Sequence, residues 1–313
     1  MAEKAVLLLY MGGPESFSQI RPFLYRMLSD PHVLPLPAPI QKPVAFLLAA
    51  LRSPVVKKRY ALIGGCSPLP RTTRAQAKAL ERRLGTGYRV FVGFRYVEPD
   101  IAAALRSAIN AGARKLVALS LYPHYAGATS GTCFAELERA LRMVDEELEV
   151  RRVERWGDFP PYLDALSEKV KQALEGFPPR EEVEVLFSAH SLPLEMARRD
   201  GYEEQVRATC EGVAERAGIE SYRLAYQSGF RLGRWLSPDV EQVLHTLAKR
   251  GRKSVLVVPV SFVSDHIETL YEIDFVYARL ARKLGIEHFR RVEALGTSPD
   301  FIEALCRLVR DRS

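Results

Sequence analysis

Cysteine is scarce in this chain. Its 313 residues hold four, Cys66, Cys133, Cys210 and Cys306, and no two of them form a C-x-x-C pair. That spacing offers neither a zinc site nor a local iron–sulfur motif, and scattered cysteines in a chain of this size read as reduced, cytosolic thiols. Long apolar runs are missing too: none approaches the ~20 residues that a membrane span needs. So is a phosphate-binding fingerprint. No G-x-G-x-x-G follows a strand, Pro14 removes a backbone donor from the turn Gly12-Gly13-Pro14, and Gly85 and Gly87 precede a strand. A nucleotide-dependent α/β enzyme thereby loses its main support. Ser130 sits in GATSG without a G-x-S-x-G elbow, which argues against a hydrolase. Charge is not concentrated either. The 45 Lys and Arg exceed the 38 Asp and Glu by a net +7, but no long basic run appears, so no nucleic-acid partner is expected. Anionic small molecules or an anionic membrane surface account for the excess.

What is present is a globular composition, 47% hydrophobic and 27% charged, in a length that accommodates two domains. A seven-residue apolar run at 5–11 precedes the first glycine turn. No small-residue cleavage site follows it, so it reads as a first strand rather than a signal peptide. Further strands are expected at 88–94, 115–121, 148–153, 183–187, 222–226, 254–263 and 289–292, with helices between them. This is α/β alternation. The order also repeats: AGARK followed by LVALSLYP at 111–123 resembles RGRKS followed by VLVVPVSF at 250–262. Two similar βαβ halves are expected, 1–155 and 156–313. Ligands of such sheets bind beyond the carboxyl ends of the strands. Met11, Arg95, Tyr96, Tyr122, His124, His190, His266 and Glu268 all fall at strand ends, where they are expected to line one cleft.

Residues 254–277 concentrate the chemistry. A Val-rich strand runs into Asp265, His266, Glu268, Glu272 and Asp274, all within ten residues. Asp265 and Glu268 have the D-x-x-E spacing of a capping box, and a merely structural reading of both stays open. Glu268 and Glu272 at i,i+4 share one helix face, whereas His266 and Glu268 at i,i+2 do not. A π-bulge in the first turn would let both face a site. Residues 33–51 are apolar almost all round and interrupted by prolines, with Lys57, Lys58 and Arg59 beyond. A core helix and an exposed apolar flap both fit that pattern.

The motifs LLLYMGGPE, RYALIGGCSPL, VGFRYVEP, LYPHYAGATSG, FSAHSLP, YQSGFRLGRWLSPDV and PVSFVSDHIETLYEID resemble, in order, those of the ferrochelatases. The resemblance implies an α/β fold of two Rossmann-like, chelatase-type halves, with parallel sheets flanked by helices, facing a central cleft. It implies insertion of Fe²⁺ into protoporphyrin IX, giving protoheme in heme biosynthesis. A coproporphyrin III substrate and a non-catalytic tetrapyrrole or metal carrier are the alternatives. By resemblance His190 is metal ligand and proton acceptor, Glu268 its partner and a second ligand, and His266 a third catalytic group. Glu272 and Asp265 extend a proton or metal path, with Val276 standing where the acidic ladder often continues. Met11, Arg95, Tyr96 and Tyr122 contact the porphyrin. Iron is a substrate, and neither a prosthetic group nor an iron–sulfur cluster is expected. The segment 33–51 becomes an apolar lip touching an anionic membrane, and the protein is expected to be cytoplasmic, peripheral to the membrane. The chemistry agrees: metallation removes two pyrrole protons, and a neutral imidazole of ordinary pKa, near ~6.5, can accept one.

Overall fold

A computed structural model describes residues 4–179, 182–229 and 233–312. Positions 230–232 of the YQSGFRLGRWLSPDV motif lie outside the described residues. The chain forms two compact units, Met1–Arg155 with Leu305–Ser313, and Trp156–Ala304.

In the first unit the elements run β1 (Lys4–Tyr10), α1 (Ile20–Leu28), α2 (Ala38–Ala61), α3 (Leu69–Leu84), β2 (Tyr88–Phe94), α4 (Ile101–Asn110), β3 (Lys115–Ser120), α5 (Thr132–Leu141) and β4 (Glu149–Val153). The strands form one parallel sheet in the order β2-β1-β3-β4. Central β1 explains the order: from Ala5 to Tyr10 every residue is buried, as a strand covered by helices on both faces requires. Its Leu7 lies between Phe91 and Ala118 in register. Gly12 follows at φ +79°, and a Cβ there would run into Val97, so only glycine makes this turn.

The second unit repeats the plan with α6 (Pro160–Glu175), β5 (Val183–His190), α7 (Leu194–Asp200), α8 (Tyr202–Ala217), β6 (Tyr222–Gln227), α9 (Val240–Lys249), β7 (Ser254–Pro259), α10 (Ala278–Lys283) and β8 (His288–Arg291). A last helix, α11, covers Pro299–Arg310. The sheet order β6-β5-β7-β8 matches that of the first unit strand for strand. All six residues of β7 are buried. A capping box does form in this unit, at Asp239 and Gln242, where it opens α9. At Asp265 and Glu268 it does not, because both side chains have other partners.

Most strands lie close to their expected positions, but the one expected at 254–263 ends at Pro259, and the chain leaves the sheet there for the loop that leads to Glu268. Helix α7 is an addition that short, charged LEMARRD did not suggest. Segment 33–51 resolves into a loop and the first half of α2. Ala45, Ala49 and Ser53, at four-residue spacing, are buried on the face packed toward α1. Phe46, Leu47 and Leu51 stand 58, 58 and 65% exposed. Small residues let two helices approach closely, and the large apolar ones are turned outward. Among the described residues no helix is long and apolar enough to cross a membrane.

Candidate functional site

Three strand ends of the second sheet build one polar cluster. His190 closes β5 after a buried run, and its backbone N–H donates to Ser261 Oγ at 3.0 Å. Ser261 also meets the Tyr202 hydroxyl at 2.8 Å. Beyond β7 the chain winds as a π-helix over Glu268–Tyr277. Its first residue puts Glu268 Oε2 2.8 Å from His190 Nδ1. The two side chains keep 28 and 18% exposure, so the pair is sheltered but reachable. From the end of β6, Ser228 places its hydroxyl 3.1 Å from Glu268 Oε2 and 2.5 Å from Glu272 Oε2. One hydroxyl has one proton, so it is shared between the two carboxylates. Ser228 adopts φ +64°, a strained value for a non-glycine residue at this junction. Gln227 steadies the arrangement by donating to the Glu268 carbonyl at 3.0 Å while accepting from Ser188 at 2.7 Å.

The electrostatics follow from this packing. Burial by itself would lower the His190 pKa, but the Glu268 charge and hydrogen bond, with help from Glu272, outweigh it and raise it above the ordinary value. Burial would raise Glu268, yet His190, His266 and the Ser228 hydroxyl hold it well below the usual carboxylate range. The ordinary imidazole expected from the sequence is therefore a stronger base, sharing its proton with a carboxylate. His266 is buried with its ring centroid 4.1 Å from that of Phe262. Burial lowers its pKa against the pull of Glu268 and Asp265. Neither of its ring nitrogens has a hydrogen-bond partner among the described residues. Imidazole nitrogen and carboxylate oxygen are donors that accept Fe²⁺.

Asp265 and Asp274 are held elsewhere. Asp265 Oδ1 accepts from Thr269 Oγ1 at 2.9 Å and from Arg291 at 2.8 Å. Arg291 also takes Asp274 in a two-bond fork, 2.9 Å in each arm. Arg291 carried no signal in the sequence; it comes into play because β8 pairs with β7, with Arg291 opposite Val257.

In the first unit, Arg95 and Tyr96 follow β2, and their backbone N–H groups donate to Tyr10 and Met11 carbonyls at 2.9 and 3.1 Å. Met11 is half-buried and Tyr122 buried, its ring 4.7 Å edge-on from Tyr10. The Tyr96 side chain is covered, and its hydroxyl donates to Asp30 Oδ2 at 3.0 Å. The same oxygen receives Thr132 Oγ1 at 2.5 Å and Arg95 at 2.8 Å. The guanidinium spends its Nε on Thr132 and lies 3.9 Å from Glu136. Asp30 and Thr132 were not singled out by the sequence, since Asp30 meets Tyr96 and Thr132 across 66 and 102 residues. His124 is buried, and burial pushes its pKa down to about 3.

The equivalent turn after β3 is also π-wound, over Gly127–Gly131. Thr129 N–H donates to the Ala126 carbonyl just as Thr269 does to that of His266. In that alignment Ala126 and Ala128 stand where the second unit has His266 and Glu268. The backbone device is common to both units, and the imidazole and carboxylate are found on one.

Two four-stranded parallel sheets in this order, flanked by helices, define a chelatase-type α/β fold. SirB from Bacillus subtilis, solved with Fe³⁺, matches with a TM-score of 0.63 over 99% of this chain and 95% of its own, at 14% identity. CbiX, described as the terminal enzyme for biosynthesis of siroheme in denitrifying bacteria, matches at 0.56 over 99 and 98%, with 12% identity. The chain itself belongs to the ferrochelatase family, whose model matches residues 3–313. The ferrochelatase of Geotalea daltonii is 46% identical over 99% of this chain and 98% of its own. That of Aquifex aeolicus is 42% identical, covering 99% of both. The family is one of metal chelatases, enzymes of the lyase class.

Proposed function

We propose that this ferrochelatase inserts Fe²⁺ into protoporphyrin IX, with His190 and Glu268 as the metal- and proton-handling pair. The observation that carries the reading is their 2.8 Å contact between the end of β5 and the first residue of the π-helix that follows β7. With Nδ1 directed at Glu268, Nε2 is the nitrogen left for iron or a pyrrole proton. Metallation exchanges one Fe²⁺ for two protons. His190 accepts one, and the Glu268 charge stabilises the imidazolium as it forms. The second leaves along the contacts from Glu268 through Ser228 to Glu272. Buried His266 lies beside them as a third catalytic group in this reading. Two protein donors of mixed type hold Fe²⁺ loosely enough to release it to four pyrrole nitrogens. Asp265 drops out of the path in this reading, because Arg291 and Thr269 occupy it.

Met11, Arg95, Tyr96 and Tyr122 are proposed as the macrocycle-facing group of the first unit, with Tyr96 acting through Arg95. The charge state of Arg95 supports the choice of porphyrin. Asp30 and Glu136 already offset its charge, and each propionate taken from water needs a free partner. Ser191 spends its hydroxyl on the Leu236 carbonyl at 3.3 Å. Two propionates suit such a site better than the four of coproporphyrin. No iron–sulfur centre is proposed. The exposed apolar side of α2, beside Lys57 and Lys58, is proposed to rest on an anionic membrane from the cytoplasmic side.

The test is anaerobic Fe²⁺ insertion into each porphyrin, with His190→Ala alongside. Wild type should prefer protoporphyrin in kcat/KM, and the variant should bind porphyrin without metallating it. A tenfold preference for coproporphyrin, ~1.4 kcal/mol in the barrier, would reverse the substrate. Porphyrin binding with no wild-type turnover would instead favour a carrier.

A further inference from the structure

The segment that carries Glu268 and Glu272 is wound in an uncommon way. Glu268–Tyr277 forms a π-helix, a winding that proteins rarely sustain beyond one turn. Something must hold it. The exposed side chains do not, since Phe275 stands open to solvent. Gln227 and Ser228 hold its first turn and Ile273 and Tyr277 are buried, and Arg291, whose side chain is only 9% exposed, grips it from β8. It donates Nε and one terminal nitrogen to the two oxygens of Asp274, and its other terminal nitrogen to Asp265.

The spacing of its partners gives the reason this matters. Asp265 and Asp274 are nine residues apart. Asp265 precedes the helical turns, and Asp274 lies six residues into the π segment counted from Glu268. Over those six residues an α winding turns through about 600° and a wider π winding through roughly 490°, so the two windings aim Asp274 in different directions. A single guanidinium ties the loop residue Asp265 to Asp274 inside the π segment. The rigid planar fork makes the selection sharp, because a bidentate pair fixes direction as well as distance. Thr269 adds a local tie, donating to Asp265 from inside the segment.

We propose that Arg291 is a positioning residue that locks the π winding, and that this lock aims Glu268 at His190. Arg291 touches neither His190 nor Glu268. It acts on them through the register of the backbone between Asp265 and Asp274. An α-wound segment would swing Asp274 away from β8 and turn the residues after Glu268 relative to Ser228, breaking the two-carboxylate bridge. The functional half of this inference rests on the proposed role of Glu268; the structural half does not.

The experiment uses the full chain with Arg291→Met and Arg291→Lys. Each is crystallised and assayed for anaerobic Fe²⁺ insertion. The expected result is a segment that loses its π winding or its fixed position. With it kcat should fall about 10–100-fold, as for other groups that orient metal ligands, while the porphyrin KM stays within about twofold. Lysine should not rescue, because it keeps the charge and loses the fork. Should Arg291→Met fail to fold, Asp274→Asn removes the bidentate arm alone and should shift kcat in the same direction. A folded Arg291→Met with intact π winding and normal kcat would overturn the lock, as would full recovery by lysine. If the wild type metallates nothing, the proposed function falls, and the crystal structures still decide whether Arg291 sets the winding.

Discussion

Asp30 is the sharpest place to test the packing of the first unit. Its carboxylate is fully buried, and the donors on it are divided between its two oxygens. Oδ2 takes Tyr96, Thr132 and Arg95, and Oδ1 takes the backbone N–H and ring of His32 at 2.9 and 3.1 Å. Asp30→Asn keeps the shape but replaces one acceptor oxygen with a donor NH₂ group. Whichever way the amide turns, at least one set of donors faces another donor, and Arg95 loses its closest counter-charge. Breaking a buried ion pair costs about 3–5 kcal/mol. Tyr96→Phe, by contrast, deletes one donor and leaves the charges paired, for about 1.5 kcal/mol. Urea unfolding followed by circular dichroism should return this order. The pH dependence gives a second check. Burial pushes the Asp30 pKa up, but Thr132, Arg95, His32 and Tyr96 together bring it below the ordinary value. A depressed carboxyl stabilises the fold above its unfolded pKa, near ~3.9, and loses that contribution as pH falls through the folded one. Wild type and Asp30→Asn should therefore converge in acid. A loss under about 1 kcal/mol at neutral pH, or a Tyr96→Phe loss equal to that of Asp30→Asn, would refute this reasoning.

Two further predictions concern the reaction. His190 has a raised pKa, so its neutral, proton-accepting form appears only as pH rises through that value, and the acid limb of kcat/KM lies above ~6.5. Glu268→Gln removes the cause and should move that limb to lower pH, with a larger loss of rate than Glu272→Gln. A limb that stays in place would mean another group titrates. At the lip, Phe46→Asp with Leu47→Asp should leave the fold intact, since both side chains already face solvent. It should weaken binding to anionic vesicles several-fold, and unchanged vesicle binding would make this face an idle surface.

The sequence by itself determined the strands and the order in which they come. Runs such as AVLLLY and SVLVVP have no polar face, so they have one stable place, the middle of a sheet covered on both sides. The motifs around His190 and Glu268 were also legible, because each is contiguous and each follows directly from a buried strand. The choice between buried and exposed for residues 33–51 was not legible. It depends on which side of α2 meets α1, and there the small residues won. The 2.8 Å contact between His190 and Glu268, 78 residues apart, exists only because β5 and β7 are neighbours. The D-x-x-E pattern at Asp265 pointed to a capping box, but Arg291 and His190 outcompeted the local backbone for both carboxylates. Asp30 and Arg291 had no local signature at all, and Ser228 only its place in the YQSGFRLGRWLSPDV motif. Their roles come from partners brought from distant strands and helices, and a buried charge takes whatever counter-charge the fold delivers. Hydrophobic pattern is a property of neighbours in sequence and fixes elements, and the His266–Glu268 spacing already hinted at a π-bulge; charge pairing, and the length to which the π winding extends, are properties of neighbours in space, which only the folded chain supplies.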